Sequence, residues 1–248
     1  MRKIVILHTC DLHNRLTPAQ AEFIADRKRS EENALLLDAG DAIRAGNIGW
    51  TPGGEPILRT MTAIGYDAMC IGNREFHLKA AIFPKKTADA GFPTLSASIR
   101  RRRPDSNAYL PPESVILERG GVKIGIFGIT VPMIVQRMLA ANLSDYLFDQ
   151  PIEVAKRMVA KLRSEVDLLI AVAHIGKTHD REVAEACQEI DIIVAGHAHK
   201  SIYDPIRVGD VPIVAAGYFS RHLGRAEMEV GQGRAQLIDW QALRLPRE

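Results

Sequence analysis

The sequence predicts an α/β domain, and three observations predict it. Short β-rich apolar runs alternate with amphipathic segments along most of the chain, the pattern of crossover units in a sheet. Of the 248 residues, 46% are hydrophobic and 25% charged, a mixture that buries a sizeable core. No Pro/Gly/Ser-rich linker, low-complexity tract or fixed-period repeat divides the chain, so a single domain over residues 1–248 is expected.

The elements follow in order. Residues 3–8 form a strand. An amphipathic helix over 18–29 then opens on Pro18, which suits a first helical turn. A buried strand at 34–37 ends in Asp38-Ala39-Gly40-Asp41, and a helix at 56–64 passes through Gly65 to a strand at 68–71. Another helix is expected at 78–88, and the Pro-, Asp- and Asn-containing stretch 100–112 reads as a solvated loop carrying the basic run Arg100–Arg103. Gly120-Gly121 splits strands 114–118 and 122–127 into a hairpin. A helix at 152–164, a strand at 168–173, a helix at 181–187 and a strand at 190–195 repeat the alternation. Residues 205–240 read as mostly antiparallel strand.

Composition excludes several classes of function. The charge balance is 32 Lys and Arg against 30 Asp and Glu, a net +2 too mild to predict nucleic-acid binding. No run of ~18 apolar residues predicts a membrane span, and the four apolar residues after Met1-Arg2-Lys3 are too few for a signal-peptide core. Three widely spaced cysteines (Cys10, Cys70, Cys187) form neither a CxxC pair nor a disulfide framework, so reduced thiols in the cytoplasm are expected.

The polar residues collect where strands end. Asp11-Leu12-His13, Gly40-Asp41, Gly72-Asn73-Arg74-Glu75, His174 and Gly196-His197-Ala198-His199 each follow a strand. In open α/β sheets ligands gather beyond the carboxyl ends of strands. One crevice would therefore receive Asp11, His13, Asp41, Asn73, His174, His197 and His199. Carboxylate, amide and imidazole donors suit Zn, Mn or Fe, and the lack of thiolate argues against a cysteine-type structural zinc site. Taken singly, a histidine at a strand end is more often a satisfied core residue, and Asp after Gly more often a turn or cap. The recurrence of all five pieces carries the reading.

In that order the pieces resemble the calcineurin-like metallophosphoesterases. Ile6-Leu7-His8-Thr9-x-Asp11-Leu12-His13, Leu36-Leu37-Asp38-Ala39-Gly40-Asp41, Gly65-Tyr66-Asp67-Ala68 and Ala216-Gly217-Tyr218 are similar to the 5′-nucleotidase and 2′,3′-cyclic phosphodiesterase branch. The resemblance covers residues 3 to 230. It implies a four-layer sandwich of two mixed β-sheets flanked by helices, with two divalent or trivalent metal ions in its cleft. Asp11, His13 and His199 would bind one ion, Asn73, His174 and His197 the other, and Asp41 would bridge them. The implied reaction is cleavage of a phosphomonoester or phosphodiester, a nucleotide or cyclic nucleotide among them, by attack of a metal-bridging hydroxide. The implied partner is a small phosphate-ester substrate; no membrane or nucleic acid is expected, and a homo-oligomer is left open. The C-terminal nucleotide-binding domain of relatives has no counterpart in residues 1–248. Substrate choice would then rest on loops 43–55, 100–112 and 130–147.

One motif departs from the family. Members read Gly-Asn-His-Glu with an Asp three residues past the His, whereas this chain has Arg74 and His77 at those positions. Arginine stays protonated and makes a poor general acid, but it is a good bidentate partner for phosphate. The preferred reading gives Arg74 substrate or transition-state charge, with leaving-group protonation lost or passed to His77 or water. A sulfur-linked substrate and a catalytically impaired metal-binding or regulatory protein are the alternatives. Catalytic roles are thus expected for Arg74, His77 and Asp41, and substrate contacts for Asn73, Arg74 and His222. Cys10 is expected to pack behind the site, and His8 to support it from behind the ligands.

Overall fold

The computed structural model describes residues 1–200, 204–231 and 234–246. Two six-stranded mixed sheets face each other. In the first, β1 (Arg2–Thr9), β2 (Ala34–Asp38), β3 (Ala68–Cys70) and β4 (Thr94–Leu95) run parallel. The antiparallel pair β13 (His222–Val230) and β14 (Gln236–Arg244) extends the sheet at the edge of β1. In the second, β7 (Val122–Thr130), β9 (Leu168–His174), β10 (Ile192–Ala195) and β12 (Val211–Val214) run parallel. That sheet is flanked by antiparallel β6 (Ser114–Arg119) and β11 (Ile206–Val208).

Side-chain alternation along the strands accounts for the layering. From β1, Ile4 and Ile6 point inward against Ile124, Ile126, Ile170 and Val172 of the second sheet. Val5 and Leu7 point outward against Ile24 of α1 (Pro18–Ser30) and Leu58 and Met61 of α2 (Pro56–Ile64). The second sheet likewise presents Phe127, Leu169 and Ile193 to α4 (Pro151–Leu162) and α5 (Lys177–Ala186). Strands covered on both faces read as continuous apolar runs, as Leu35-Leu36-Leu37 does. The four-layer sandwich expected from the resemblance is the observed architecture.

Local chemistry sets the element ends. Thr17 and Gln20 form a reciprocal capping box ahead of Pro18 at the start of α1. Gly65, at φ 90°, closes α2 by donating to the carbonyls of Met61 and Thr62.

The structure corrects several expectations. Only α3 (Phe83–Lys86) is helical within 78–88, because Asp145 binds the segment at both ends of its first turn: its carboxylate accepts the Ala80 N–H at 2.8 Å, and its N–H meets the Leu78 carbonyl at 2.9 Å. Pro84 in the first helical turn also cannot extend a longer helix through its own position. Residues 99–101 are not free loop: β5 (Ile99–Arg101) pairs with β8 (Tyr146–Phe148) in a separate ribbon. The basic run staples that ribbon, Arg100 to Asp149, Arg101 to the Ala108 carbonyl and Arg102 to the Ser144 carbonyl. The α5 helix begins at Lys177 rather than at residue 181. The three cysteines are buried and unpaired. Among the described residues no helix is long and apolar enough to cross a membrane.

His8 follows Ile4 and Ile6 on the inner face of β1, stacks on Trp240 at 5.4 Å, and has no hydrogen-bond partner for either ring nitrogen among the described residues. Burial pushes its pKa down to about 3. An unfolded histidine takes up its proton near 6.5, so between those values the unfolded chain binds more protons. The His8 contribution to stability is therefore complete above pH ~6.5 and falls by up to roughly 1.4 kcal/mol per unit as the pH drops toward about 3. Denaturant unfolding between pH 7 and 4 should show this slope in the wild-type chain and a shallower one, by up to roughly 1.4 kcal/mol per unit, in His8→Phe. An unchanged slope in the variant would assign acid sensitivity elsewhere.

Candidate metal centre

Five strands from both sheets end at one crevice, and each delivers its polar group through a tight turn. Asp11 and His13 follow β1, Asp41 follows β2, Asn73 follows β3, His174 ends β9, and His197 and His199 follow β10. Asp11, His13, Asp41, His197 and His199 all sit at positive φ, between 48° and 71°. Non-glycine residues adopt that region rarely, and clusters of them mark functional sites. Backbone bonds over-determine these turns: the N–H groups of Asp11 and His13 donate to the carbonyls of Gly40 and Asp41 at 2.9 and 3.0 Å. Gly40, at φ 95°, is needed because a Cβ there would lie 2.8 Å from Nδ1 of His174.

The donor atoms converge. Asp41 Oδ2 lies 3.6 Å from Nε2 of His13, and its Oδ1 lies 3.5 Å from Nε2 of His174, so each oxygen faces one half of the crevice. Asp11 Oδ1 lies 3.2 Å from Nε2 of His199 and 3.9 Å from that of His13. Asn73 Oδ1 and His197 Nδ1 approach Nε2 of His174 at 3.1 and 3.2 Å. Two groups of three could each hold a metal ion: Asp11 with His13 and His199, and Asp11 with Asp41 and His174. Asp11 Oδ1 and His13 Nε2 are buried without hydrogen-bond partners among the described residues. Buried polar atoms of this kind are normally satisfied, and a cation would meet both, so the donor set fits the metals the resemblance implies.

Electrostatics follow from that proximity. Burial raises the Asp11 carboxyl, with the Asp41 charge adding to the effect and His174 opposing it. Asp41 is also buried, yet the His13 and His174 rings and the Arg74 N–H hold it well below the carboxylate range. Burial alone would lower His174, but Asp41 and Asp11 bring it up to about 9. Its Nδ1 donates to the Ala39 carbonyl at 2.7 Å, which turns Nε2 toward the crevice. His197, desolvated and beside His174, is pushed down to about 4.

Arg74 stands at the edge of this group. Its Nε lies 3.8 Å from Asp41 Oδ2, its backbone N–H donates to Asp41 Oδ1 at 2.8 Å, and Nη1 donates to the Arg44 carbonyl at 3.1 Å. His77 is held by backbone groups. Its Nδ1 accepts the Lys79 N–H at 3.0 Å. His222 lines a separate cavity with Arg221 and Arg244 rather than joining the donor atoms. His8 packs on Trp240 away from the ligands, so the support expected from it is not seen. Cys10 points behind the site, its thiol donating to the Gly217 carbonyl at 2.7 Å.

Sequence reasoning gave Glu75 no role beyond its place in a motif, although it organises the crevice. Fully buried, its Oε1 accepts N–H groups of Ala42 and Ile43 at 2.9 and 3.2 Å, and its Oε2 those of Asp41 and Gly72 at 3.0 and 2.9 Å. Burial and the Asp41 charge push its carboxyl upward while His174 and these N–H groups oppose them. Four donors facing two oxygens fit the ionised form. The available signal was its place directly after Gly-Asn-Arg at a strand end, where a carboxylate meets turn N–H groups.

The model of the calcineurin-like phosphoesterase family matches residues 4–201. The chain is 29% identical to the human 5′-nucleotidase over 92% of its own length and 46% of that protein's. It is 28% identical to the 5′-nucleotidase of Vibrio cholerae over 96% of its own length and 51% of that protein's. It thus spans about half the length of these relatives. The crystal structure of a 5′-nucleotidase precursor from Thermus thermophilus superposes with a TM-score of 0.79 at 22% identity, covering 98% of this chain and 55% of that one.

Glu75→Gln tests the positioning of Asp41. The amide replaces one acceptor with a donor, leaving two buried N–H groups unpaired at about 1–3 kcal/mol each. Urea unfolding should show a loss of that size, and Mn(II) affinity should fall about 10- to 100-fold. Wild-type stability and affinity in the variant would contradict the assignment.

Proposed function

Because the chain belongs to the calcineurin-like phosphoesterase family, whose chemistry is metal-dependent hydrolysis of phosphoric esters, we propose that residues 1–248 form one catalytic domain cleaving a phosphomonoester or phosphodiester of the nucleotide class. The observation that carries this reading is the convergence of Asp11, Asp41 and the histidines on one crevice with two of their buried donor atoms unpaired. The 5′-nucleotidase relatives support the nucleotide class.

Asp11, His13 and His199 are assigned to one cation, Asn73, His174 and His197 to the other, and Asp41 to both, since its two oxygens face the two halves. Mn, Zn and Fe all suit these donors. Two bound dications would lower the pKa of water toward about 7 and neutralise phosphoryl oxygens.

The chain's own residues do the remainder. Arg74, anchored on the Arg44 carbonyl, holds its guanidinium beside Asp41, where it can grip phosphoryl oxygens as a fork. A guanidinium is a poor proton donor to a leaving group. His77 is tied to backbone, so departing alkoxide depends on water. Esters with acidic leaving groups should therefore be cleaved far faster than alkyl esters. The Asn73 amide is fixed between His174 and Asn47, its Nδ2 donating to Asn47 Oδ1 at 2.9 Å, so loop 43–55 forms one wall of the crevice. The buried, unpaired cysteines support a reducing compartment, taken here as the cytoplasm.

Incubation with Mn(II) and nitrophenyl mono- and diesters should give chelator-sensitive turnover that falls to background in Asp41→Asn. Arg74→His should raise alkyl-ester turnover relative to nitrophenyl esters by about 10²–10⁴, the usual worth of general-acid help. Metal uptake with no turnover of any ester would identify a binding or regulatory protein instead.

A further inference from the structure

Beside the crevice lies a cavity of about 630 Å³ whose charged lining, among the described residues, is basic. Arg15, Arg221 and Arg244 contribute guanidinium groups, His222 an imidazole, and among the described residues no Asp or Glu lines it. Arg15 and Arg244 have no carboxylate partner among the described residues, and Arg221 donates to the Tyr218 hydroxyl at 2.6 Å. Thr17, the N-cap of the 13-residue α1, also lines the cavity and brings the positive end of the helix dipole to it. The independent observation is Ser220: its side chain lines the cavity, is 3% exposed, and its Oγ has no hydrogen-bond partner among the described residues. A buried hydroxyl left unpaired among uncompensated guanidinium groups asks for an anion that accepts hydrogen bonds.

The cavity and the crevice share a wall one aromatic ring thick. On one side of Phe219 the Arg15 guanidinium sits 3.9 Å from the ring centroid; His13 meets the same ring edge-on at 5.0 Å, and His199 at 5.6 Å. A ligand with one phosphate among the metal-site residues can reach the cavity around this ring with a second anionic group.

We propose that this cavity binds a phosphate dianion, carried by the substrate as a second phosphoryl group, so that the preferred substrates are phosphoric esters bearing two separated phosphates. The proposal rests on the phosphoesterase reading for its substrate, but the anion site stands on the cavity alone. Ser220 Oγ donates to a phosphate oxygen, Arg244 and Arg15 supply forked donors, and the α1 N-terminus adds to the potential.

Calorimetric titration of the chelator-treated full chain with inorganic phosphate tests the site without any turnover. The wild-type chain should bind phosphate. Arg244→Gln, at an exposed strand end, should weaken it roughly tenfold, and Ser220→Ala, which removes one hydroxyl, should weaken it as well. No binding to the wild-type chain, or equal binding by both variants, overturns the site. The second arm uses the Mn-loaded chain with adenosine 3′,5′-bisphosphate and nitrophenyl phosphate. Arg244→Gln should raise KM for the bisphosphate selectively, roughly tenfold over its effect on the nitrophenyl ester. Phosphate binding without that selectivity marks a site for free phosphate and overturns the substrate claim. Phosphate binding with no ester hydrolysed at all leaves the site standing and removes the phosphoesterase reading.

Discussion

Two carboxylates, Asp11 and Asp41, share one buried crevice, and the rest of the centre compensates their charge. Taking charge out of water is costly unless it is paired, and the cost grows when two like charges are neighbours. The two respond in opposite directions, Asp11 raised and Asp41 held low, because His13, His174 and the Arg74 N–H gather on Asp41. His174 answers by holding its proton up to about 9. Even so, Asp11 Oδ1 and His13 Nε2 have no hydrogen-bond partner among the described residues, a balance that cations would complete.

That arrangement constrains the backbone around it. Five of the polar residues occupy left-handed conformations at φ 48° to 71°, and such positions persist only where the surroundings over-determine them. Glu75 holds the Asp41 turn through four N–H groups. Further out, Glu55 accepts the Arg44 and Ala45 N–H groups at 2.9 and 3.2 Å. Buried Lys86 closes the layer, donating to the carbonyls of Gly46 and Phe76 at 2.8 and 3.2 Å. The loop that carries Arg44 and Asn47 is therefore pinned from two sides, and through them the positions of Arg74 and Asn73 are set as well.

The parts legible in the sequence were those with a strong periodic or positional signal. The long strands declare themselves by apolar runs, α1, α2 and α4 by a Pro in the first turn, and the polar residues of the centre by recurring at strand ends. The two- and three-residue strands β4, β5 and β8 carry no period, since their pairing is set by partners distant in sequence. The segment 78–88 reads as helical because its composition favours helix, but Asp145 captures its backbone instead. His77 matches a family position by spacing alone, and its Nδ1 is engaged by the Lys79 N–H. The basic cavity beside Phe219 became visible only when residues such as Arg15 and Arg244 were brought together by the fold.

The central assertion is that side chains remote in sequence hold two cations with Asp41 between them. Anomalous diffraction from crystals of the full chain grown with Mn(II) tests it directly. The account predicts two peaks about 3.5–4 Å apart, each within bonding distance of one oxygen of Asp41, with Asp11, His13 and His199 around one and Asn73, His174 and His197 around the other. A single peak, or peaks that leave Asp41 uncoordinated, would contradict it.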